Sequence, residues 1–153
     1  MPVILIRHGQ AAGRKEWEGD DRSRPLTDKG RRQALALPKA LETYAPQRVL
    51  SSPFRRCLET VEPLARELGL SVESAEDLAE GSGLTALALV RALADEKVAL
   101  CTHGDVIPEV LVPLADEDRV DLGPHPRQAK GSAWLLEHTN GRFIRATYIP
   151  PTV

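Results

Sequence analysis

The sequence predicts an α/β protein of three layers, α/β/α, built on a mostly parallel central sheet and finished by a C-terminal β-hairpin. Three observations carry that prediction. The runs Val3-Ile4-Leu5-Ile6 and Val98-Ala99-Leu100-Cys101-Thr102 are apolar almost throughout and rich in β-branched residues, as strands are when both faces are covered. Helical apolar patterns alternate with such runs, and that alternation implies parallel strands with helices on both faces of the sheet. Near the end, Asn140-Gly141 lies between two strand-like segments, the dipeptide that best supplies a type I′ turn.

The first strand runs directly into Arg7-His8-Gly9. Residues Gln10 to Pro25 follow, polar, charged and unpatterned. They exceed the roughly 12 to 15 residues usual for a connector, and their place straight after His8 predicts a functional loop in which Trp17 is a local anchor. A helix opens at the capping residue Thr27 and carries Ala34, Leu37 and Leu41 on one face; Pro38 inside it costs about 3 kcal/mol or forces a kink. Arg48-Val49-Leu50-Ser51 reads as the next strand, followed by a helix with Ser52 as N-cap and Pro53 at its first position. That helix buries Cys57, Leu58, Val61, Leu64, Ala65 and Leu68 at 3.6-residue spacing, contains an awkward Pro63, and ends at Gly69. A third helix is predicted over Leu84 to Asp95. A fourth starts near Asp105, where Pro108 falls in the tolerant first turn. Ser132 to Thr139 and Arg142 to Ile149 form the hairpin, and Pro150-Pro151 ends it. No repeat or linker interrupts residues 1–153, which read as one domain.

Twenty basic residues against twenty-two acidic ones leave a formal charge of -2. Such a balance provides no broad field for nucleic acid or an anionic membrane, so any anion site must be local. Cys57 and Cys101 form no CxxC pair, and the chain opens straight into a strand without a basic leader, which together predict a reducing cytoplasm. No apolar run approaches the roughly 18 residues of a membrane span.

Two segments share one syntax: buried strand, histidine, glycine. In open α/β sheets ligands bind beyond the carboxyl ends of the strands. Here three such ends present Arg7-His8, the helix start Ser52-Pro53-Phe54-Arg55-Arg56, and His103. Two imidazoles and at least two guanidiniums beside a helix N-terminus suit a compact dianion, with phosphate the obvious choice.

Arg7-His8-Gly9, Ser52-Pro53-x-x-Arg56-x-x-x-Thr60 and Thr102-His103-Gly104 resemble the signature elements of the histidine phosphatase (phosphoglycerate mutase-like) superfamily. The match runs from Met1 to about Val112 in order and spacing, and Arg24-Pro25-Leu26-Thr27 before a helix is similar to the short bacterial phosphohistidine-phosphatase-type branch. Gly19-Asp20-Asp21, Cys57-Leu58-Glu59-Thr60 and Lys130-Gly131-Ser132 also resemble the phosphatase-like C-terminal half of two-domain Nudix hydrolases, although no Nudix portion is read in these residues. The resemblance implies that His8 attacks phosphorus, that Arg7, Arg56 and His103 bind the phosphoryl oxygens, and that no metal or other cofactor is needed. A nucleophilic imidazole must be neutral, and adjacent guanidiniums are expected to lower its pKa. The polar motif that mutases place soon after Arg-His-Gly is not evident in Gln10 to Trp17, so phosphoryl transfer to water is expected, with a phosphorylated small molecule or a phosphohistidine protein as partner.

The remaining residues keep two readings each. Arg24 serves equally as phosphate ligand or loop salt bridge, whereas Arg55 is expected on the surface. Lys130, His125 and Arg127 are either a solvated loop or a contact for further substrate phosphates. His103-x-Asp105 invites a metal, but His125 and His138 lack ligand spacing; Cys101 belongs to the core. For the proton donor, Glu80 and Asp105 compete, both at positions the family resemblance suggests. Glu80 is favoured because Asp105 would also serve as a helix N-cap, accepting backbone hydrogen bonds that hold it ionised. A catalytically idle phosphate-binding module is the alternative to an enzyme. Substrate identity and oligomeric state are left open.

Overall fold

The computed structural model describes residues 2–124 and 126–153. Six strands, β1 (Pro2–Arg7), β2 (Arg48–Ser51), β3 (Val72–Ser74), β4 (Val98–Thr102), β5 (Ala133–Thr139) and β6 (Arg142–Ile149), form one sheet in the order β3-β2-β4-β1-β5-β6. β1 pairs parallel to β4, and β2 pairs parallel to both β3 and β4; β5 and β6 are antiparallel. Four helices accompany the sheet: α1 (Asp28–Ala40), α2 (Arg55–Leu68), α3 (Gly83–Ala92) and α4 (Val106–Glu117).

Strand alternation divides the core in two. Ile4, Ile6, Ala99 and Cys101 pack with Leu37 and Leu41 from the α1 segment and Val61 and Leu64 of α2. Val3, Leu5, Val98 and Leu100 pack with Ala86 and Val90 of α3 and Ile107 and Val110 of α4. Successive side chains of a strand point to opposite faces, so a run that is apolar at every position must be covered twice. This is the predicted three-layer arrangement, closed by the predicted hairpin. Asn140 and Gly141 both have positive φ, 51° and 80°, as a type I′ turn requires.

The helix ends show where local chemistry decided the boundaries. Thr27 caps α1, its hydroxyl accepting the Gly30 N–H at 3.1 Å. Gly69 ends α2 in the left-handed conformation at φ 69°, which spares the Cβ clash any other residue would carry. Ser52 is not the α2 cap. The helix begins only at Arg55, since Phe54 is itself extended, at φ -64° and ψ 135°, and takes the cap position, and the Ser52 hydroxyl is engaged by the Phe54 N–H and His103 instead. Asp105 stands at the N-cap position of α4 without capping it; its carboxylate accepts the Gly81 N–H at 2.8 Å. β3 is a three-residue edge strand, Val-Glu-Ser, too short and polar to show a strand pattern in the sequence. Pro38 and Pro63 are tolerated inside helices that continue past them.

Residues 10–25 leave β1 and return to α1 as a closed excursion. Ala12 N–H donates to Pro25 O at 2.9 Å and Thr27 N–H to Gln10 O at 2.9 Å. The return brings backbones so close that a Cβ on Gly30 would stand 2.0 Å from the Gln10 carbonyl oxygen. Gly30→Ala is therefore expected to lower the unfolding free energy by about 2 kcal/mol, overpacking against backbone outweighing the better helix propensity of alanine. Urea denaturation measures it, and an unchanged midpoint would show that the crossing yields freely.

Candidate active site

The parallel register sets three strand ends level: Arg7 lies beside Thr102, and Ser51 beside Cys101. The next residues, His8, His103 and Ser52, therefore emerge together at one edge of the sheet.

His8 is 7% exposed. Its Nδ1 lies 2.7 Å from its neighbour's carbonyl, Gly9 O. A carbonyl can only accept, so Nδ1 carries the hydrogen of the neutral ring and Nε2 keeps its lone pair. Gly9 is held in turn: its N–H donates to Thr60 Oγ1 at 3.0 Å, and the Thr60 hydroxyl donates to Arg56 O at 2.6 Å. Burial pushes the His8 pKa down to about 4; the Gly9 bond opposes this, while Arg56, Arg7 and Lys130 add to it. The guanidiniums expected from the sequence to set this shift act behind desolvation, which a sequence does not display.

His103 stands at 5.3 Å from His8, ring centre to ring centre, and at 4.8 Å from Phe54, both edge-on. Its Nε2 meets Ser52 Oγ at 2.8 Å and Cys57 Sγ at 3.5 Å. The Ser52 oxygen already accepts from the Phe54 N–H. When its hydroxyl donates to Nε2, the His103 hydrogen sits on Nδ1, a buried atom with no partner. Burial foremost, then the proximity of His8 and Arg56, lowers the His103 pKa to about 3.

Two guanidiniums complete the inner site. Arg7 donates from Nη1 to Gln128 O at 2.7 Å, and Gly104 leaves room for it, since a Cβ there would come within 2.7 Å of Nη2. Arg56, 1% exposed, rests over the Phe54 ring at 4.9 Å. It donates to the Asp21 carbonyl at 2.9 Å and the Asp21 carboxylate at 3.3 Å, with Glu80 Oε2 at 3.5 Å. The Nε atoms of both Arg7 and Arg56 are buried without partners. Unpaired buried donors are rare in folded proteins and costly; two of them belong to guanidiniums whose charge reaches His8, an arrangement suited to an anion.

The cleft above, about 490 Å³, is lined by Arg7, His8 and Arg56 together with Arg14, Arg24, Glu80, Asp105 and Lys130; His103, 1% exposed, is not among its lining residues. Arg24 is buried in the loop, bonded to Asp21 Oδ1 at 3.0 Å and Ala12 O at 2.6 Å while still bordering the cleft. Glu80 is engaged by Arg14 at 2.9 Å, and Arg22 joins Glu76 at 2.9 Å, so the 10–25 loop is fastened to the segment before α3. Trp17 bonds Asp20 O at 2.9 Å, inside its own loop. Arg55 is exposed and paired with Glu59. Of the basic trio, Lys130 borders the cleft, Arg127 stacks on Tyr148 at 4.6 Å, and His125 lies outside the described residues. His138 faces Asp95. Among the described residues no three His, Cys, Asp or Glu side chains converge as a metal site would need, and no helix is long and apolar enough to cross a membrane. Arg14 and Gln128 were not singled out in the sequence, and Asp21 only as part of the Gly19-Asp20-Asp21 resemblance, with no role attached: Arg14 and Asp21 sit in an unpatterned loop, and Gln128 contributes a backbone oxygen, to which composition is blind.

Because both imidazoles are held neutral, NMR titration of the ring resonances should place the His8 midpoint near 4 and the His103 midpoint near 3. The unfolded chain takes up these protons from about pH 6.5 downward while the folded chain does not. The contribution of the two groups to stability is thus intact above about pH 6.5 and lost as pH falls toward the folded values. Midpoints near 6.5 would remove the case for buried neutral rings.

Comparison with known proteins places the chain in a family. A family model described as the histidine phosphatase superfamily (branch 1) matches residues 3–86. An 8-oxo-(d)GTP phosphatase of Mycolicibacterium smegmatis is 32% identical over 165 residues, taking in 97% of this chain and 48% of that protein, so the chain spans about half of the relative's length. The protein histidine phosphatase SixA complexed with tungstate superposes with a TM-score of 0.76 at 24% identity, covering 97% of this chain and 94% of the other. A mycobacterial glucosyl-3-phosphoglycerate phosphatase with VO3 gives 0.74 at 19% identity and 96% coverage of each chain; at such identities both speak for the fold alone. The family model spans more than half of the sequence, and the relative at 32% identity covers nearly all of it: the chain belongs to the histidine phosphatase superfamily.

Proposed function

We propose that the chain is a phosphatase that passes a phosphoryl group through His8 to water without a metal. The observation that carries this reading is the His8 ring: buried, neutral, hydrogen on Nδ1, and its Nε2 lone pair set among the unpartnered donors of Arg7, Arg56 and His103. Nε2 attacks phosphorus, and the three donors bind the equatorial oxygens, where charge gathers in the transition state. Two guanidiniums also offset the charge of a phosphate that would otherwise repel the nucleophile, which is what a metal ion supplies elsewhere. Water then cleaves the N–P bond and restores the imidazole. An idle binding module would have no chemical need of a neutral, oriented imidazole.

Glu80 is the proposed proton donor to an ester leaving group on its position, since it borders the cleft; its pairs with Arg14 and Arg56 favour the ionised carboxylate, so Asp105 stays the alternative. Asp105 borders the same cleft but is tied to the Gly81 N–H. Arg24 is assigned a supporting part, bracing Asp21 and through it Arg56, with its own contact to phosphate secondary. The relatives' names support a phosphorylated small molecule or a phosphohistidine protein as substrate.

Rapid quench with labelled substrate, in the presence of EDTA, should trap an acid-labile, base-stable phosphoryl enzyme that His8→Ala cannot form; label retained by that variant would falsify the mechanism. Arg56→Ala should lose about 100- to 1,000-fold in kcat, the usual loss on removing one preorganised donor, whereas Arg55→Ala should change it little. Equal losses would mislocate the phosphate clamp. Glu80→Gln should slow esters with poor leaving groups by about 100-fold or more while sparing p-nitrophenyl phosphate. The same pattern in Asp105→Asn instead would transfer the role.

A further inference from the structure

The inner phosphoryl group is served by Arg7, Arg56 and His103, and three more cations border the cleft: Arg14, Arg24 and Lys130. Two of these are already committed. Arg14 is paired with Glu80 at 2.9 Å and Arg24 with Asp21 at 3.0 Å. Lys130 forms no ion pair among the described residues, yet its backbone is held with unusual care for a loop residue. The Gly131 N–H donates to both Arg7 O, at 3.2 Å, and His8 O, at 3.1 Å. Gln33 Nε2 donates to Lys130 O at 3.1 Å. Gly131 itself takes a φ of 82°, open to glycine at little cost. Residues 130–131 are thus tied to the end of β1 and to α1, which fixes the backbone from which Lys130 borders the cleft. Its field reaches His8, where it is one of three cations that oppose protonation.

We propose that Lys130 binds a second phosphoryl group, adjacent to the one transferred, and that the substrate is a phosphoanhydride such as a nucleoside diphosphate or triphosphate. The proposal rests on the phosphatase reading above and names its substrate class. His8 Nε2 forms a bond to the terminal phosphorus as the bridging P–O bond breaks. The electron pair departs on the remaining phosphate, whose gathering charge Lys130 meets. Water then hydrolyses the N–P bond, releasing orthophosphate and a proton. A phosphate leaving group needs far less protonation than an alkoxide, which accords with a Glu80 carboxylate already engaged by Arg14 and Arg56.

The test separates binding from turnover. Calorimetry on the full chain compares methylenediphosphonate, which has two phosphoryl-type groups and no cleavable bridge, with methylphosphonate. The wild type is expected to favour the diphosphonate by about tenfold or more, the margin of one charge-assisted hydrogen bond. Lys130→Gln should erase most of that ratio, and Lys29→Gln, on the exposed start of α1, should preserve it. Phosphonoacetate distinguishes the source of the second charge: if it matches the diphosphonate, the partner of Lys130 is a carboxylate and the anhydride assignment is overturned. An absent preference in the wild type, or one that survives Lys130→Gln, also overturns it. These ratios can be read even if His8 is never phosphorylated, a result that would sink the catalytic reading alone.

Discussion

Everything at this site depends on the level, in-register pairing of three parallel strands. Backbone hydrogen bonding between β1 and β4, and between β4 and β2, sets Arg7 against Thr102 and Ser51 against Cys101. His8, His103 and Ser52 are neighbours because the strands end together. A slip of one residue would turn each strand's alternating side chains to the opposite layer. With Ile4 and Ile6 packed on one face and Val3 and Leu5 on the other, both cores resist such a slip. The apolar packing that stabilises the sheet therefore also holds the imidazoles in place.

The second constraint is electrostatic. Arg56 is almost wholly buried, and a buried guanidinium is costly unless paired. Asp21 supplies both a carbonyl and a carboxylate, and Glu80 a second carboxylate. The polar loop of residues 10–25 consequently has two connected duties. It borders the cleft, and it pairs the arginine by accepting hydrogen bonds from its two terminal nitrogens while Nε is left without a partner. Arg24 joins this network through Asp21 rather than standing apart from it.

What the sequence made legible follows from range. Fully apolar runs, the cap at Thr27, the stop at Gly69 and the Asn140-Gly141 turn are local signals, and each matches the observed fold class. His8, Arg7, Arg56 and His103 were legible as a group because each directly follows or ends a strand, or opens a helix. Ser52 was misplaced as a cap because its hydroxyl is claimed by His103, 51 positions away. Asp105 was expected to cap α4 and instead reaches back to Gly81. The dominant cause of the His8 shift, burial, is a property of the whole fold. The parts of Arg14 and Asp21 arise only when an unpatterned loop folds back, so no spacing announces them.

The Asp21 carboxylate on Arg56 has a kinetic consequence. A cleft that partly satisfies its own cation when empty offers every incoming anion an internal competitor at a high effective concentration. If the site turns over a phosphoryl group as proposed, that competitor lowers the grip on the departing orthophosphate as well as on the substrate. On the proposed reading the dwell time of product is shortened, and the emptied site is neutralised again from within, without waiting for ions from solvent.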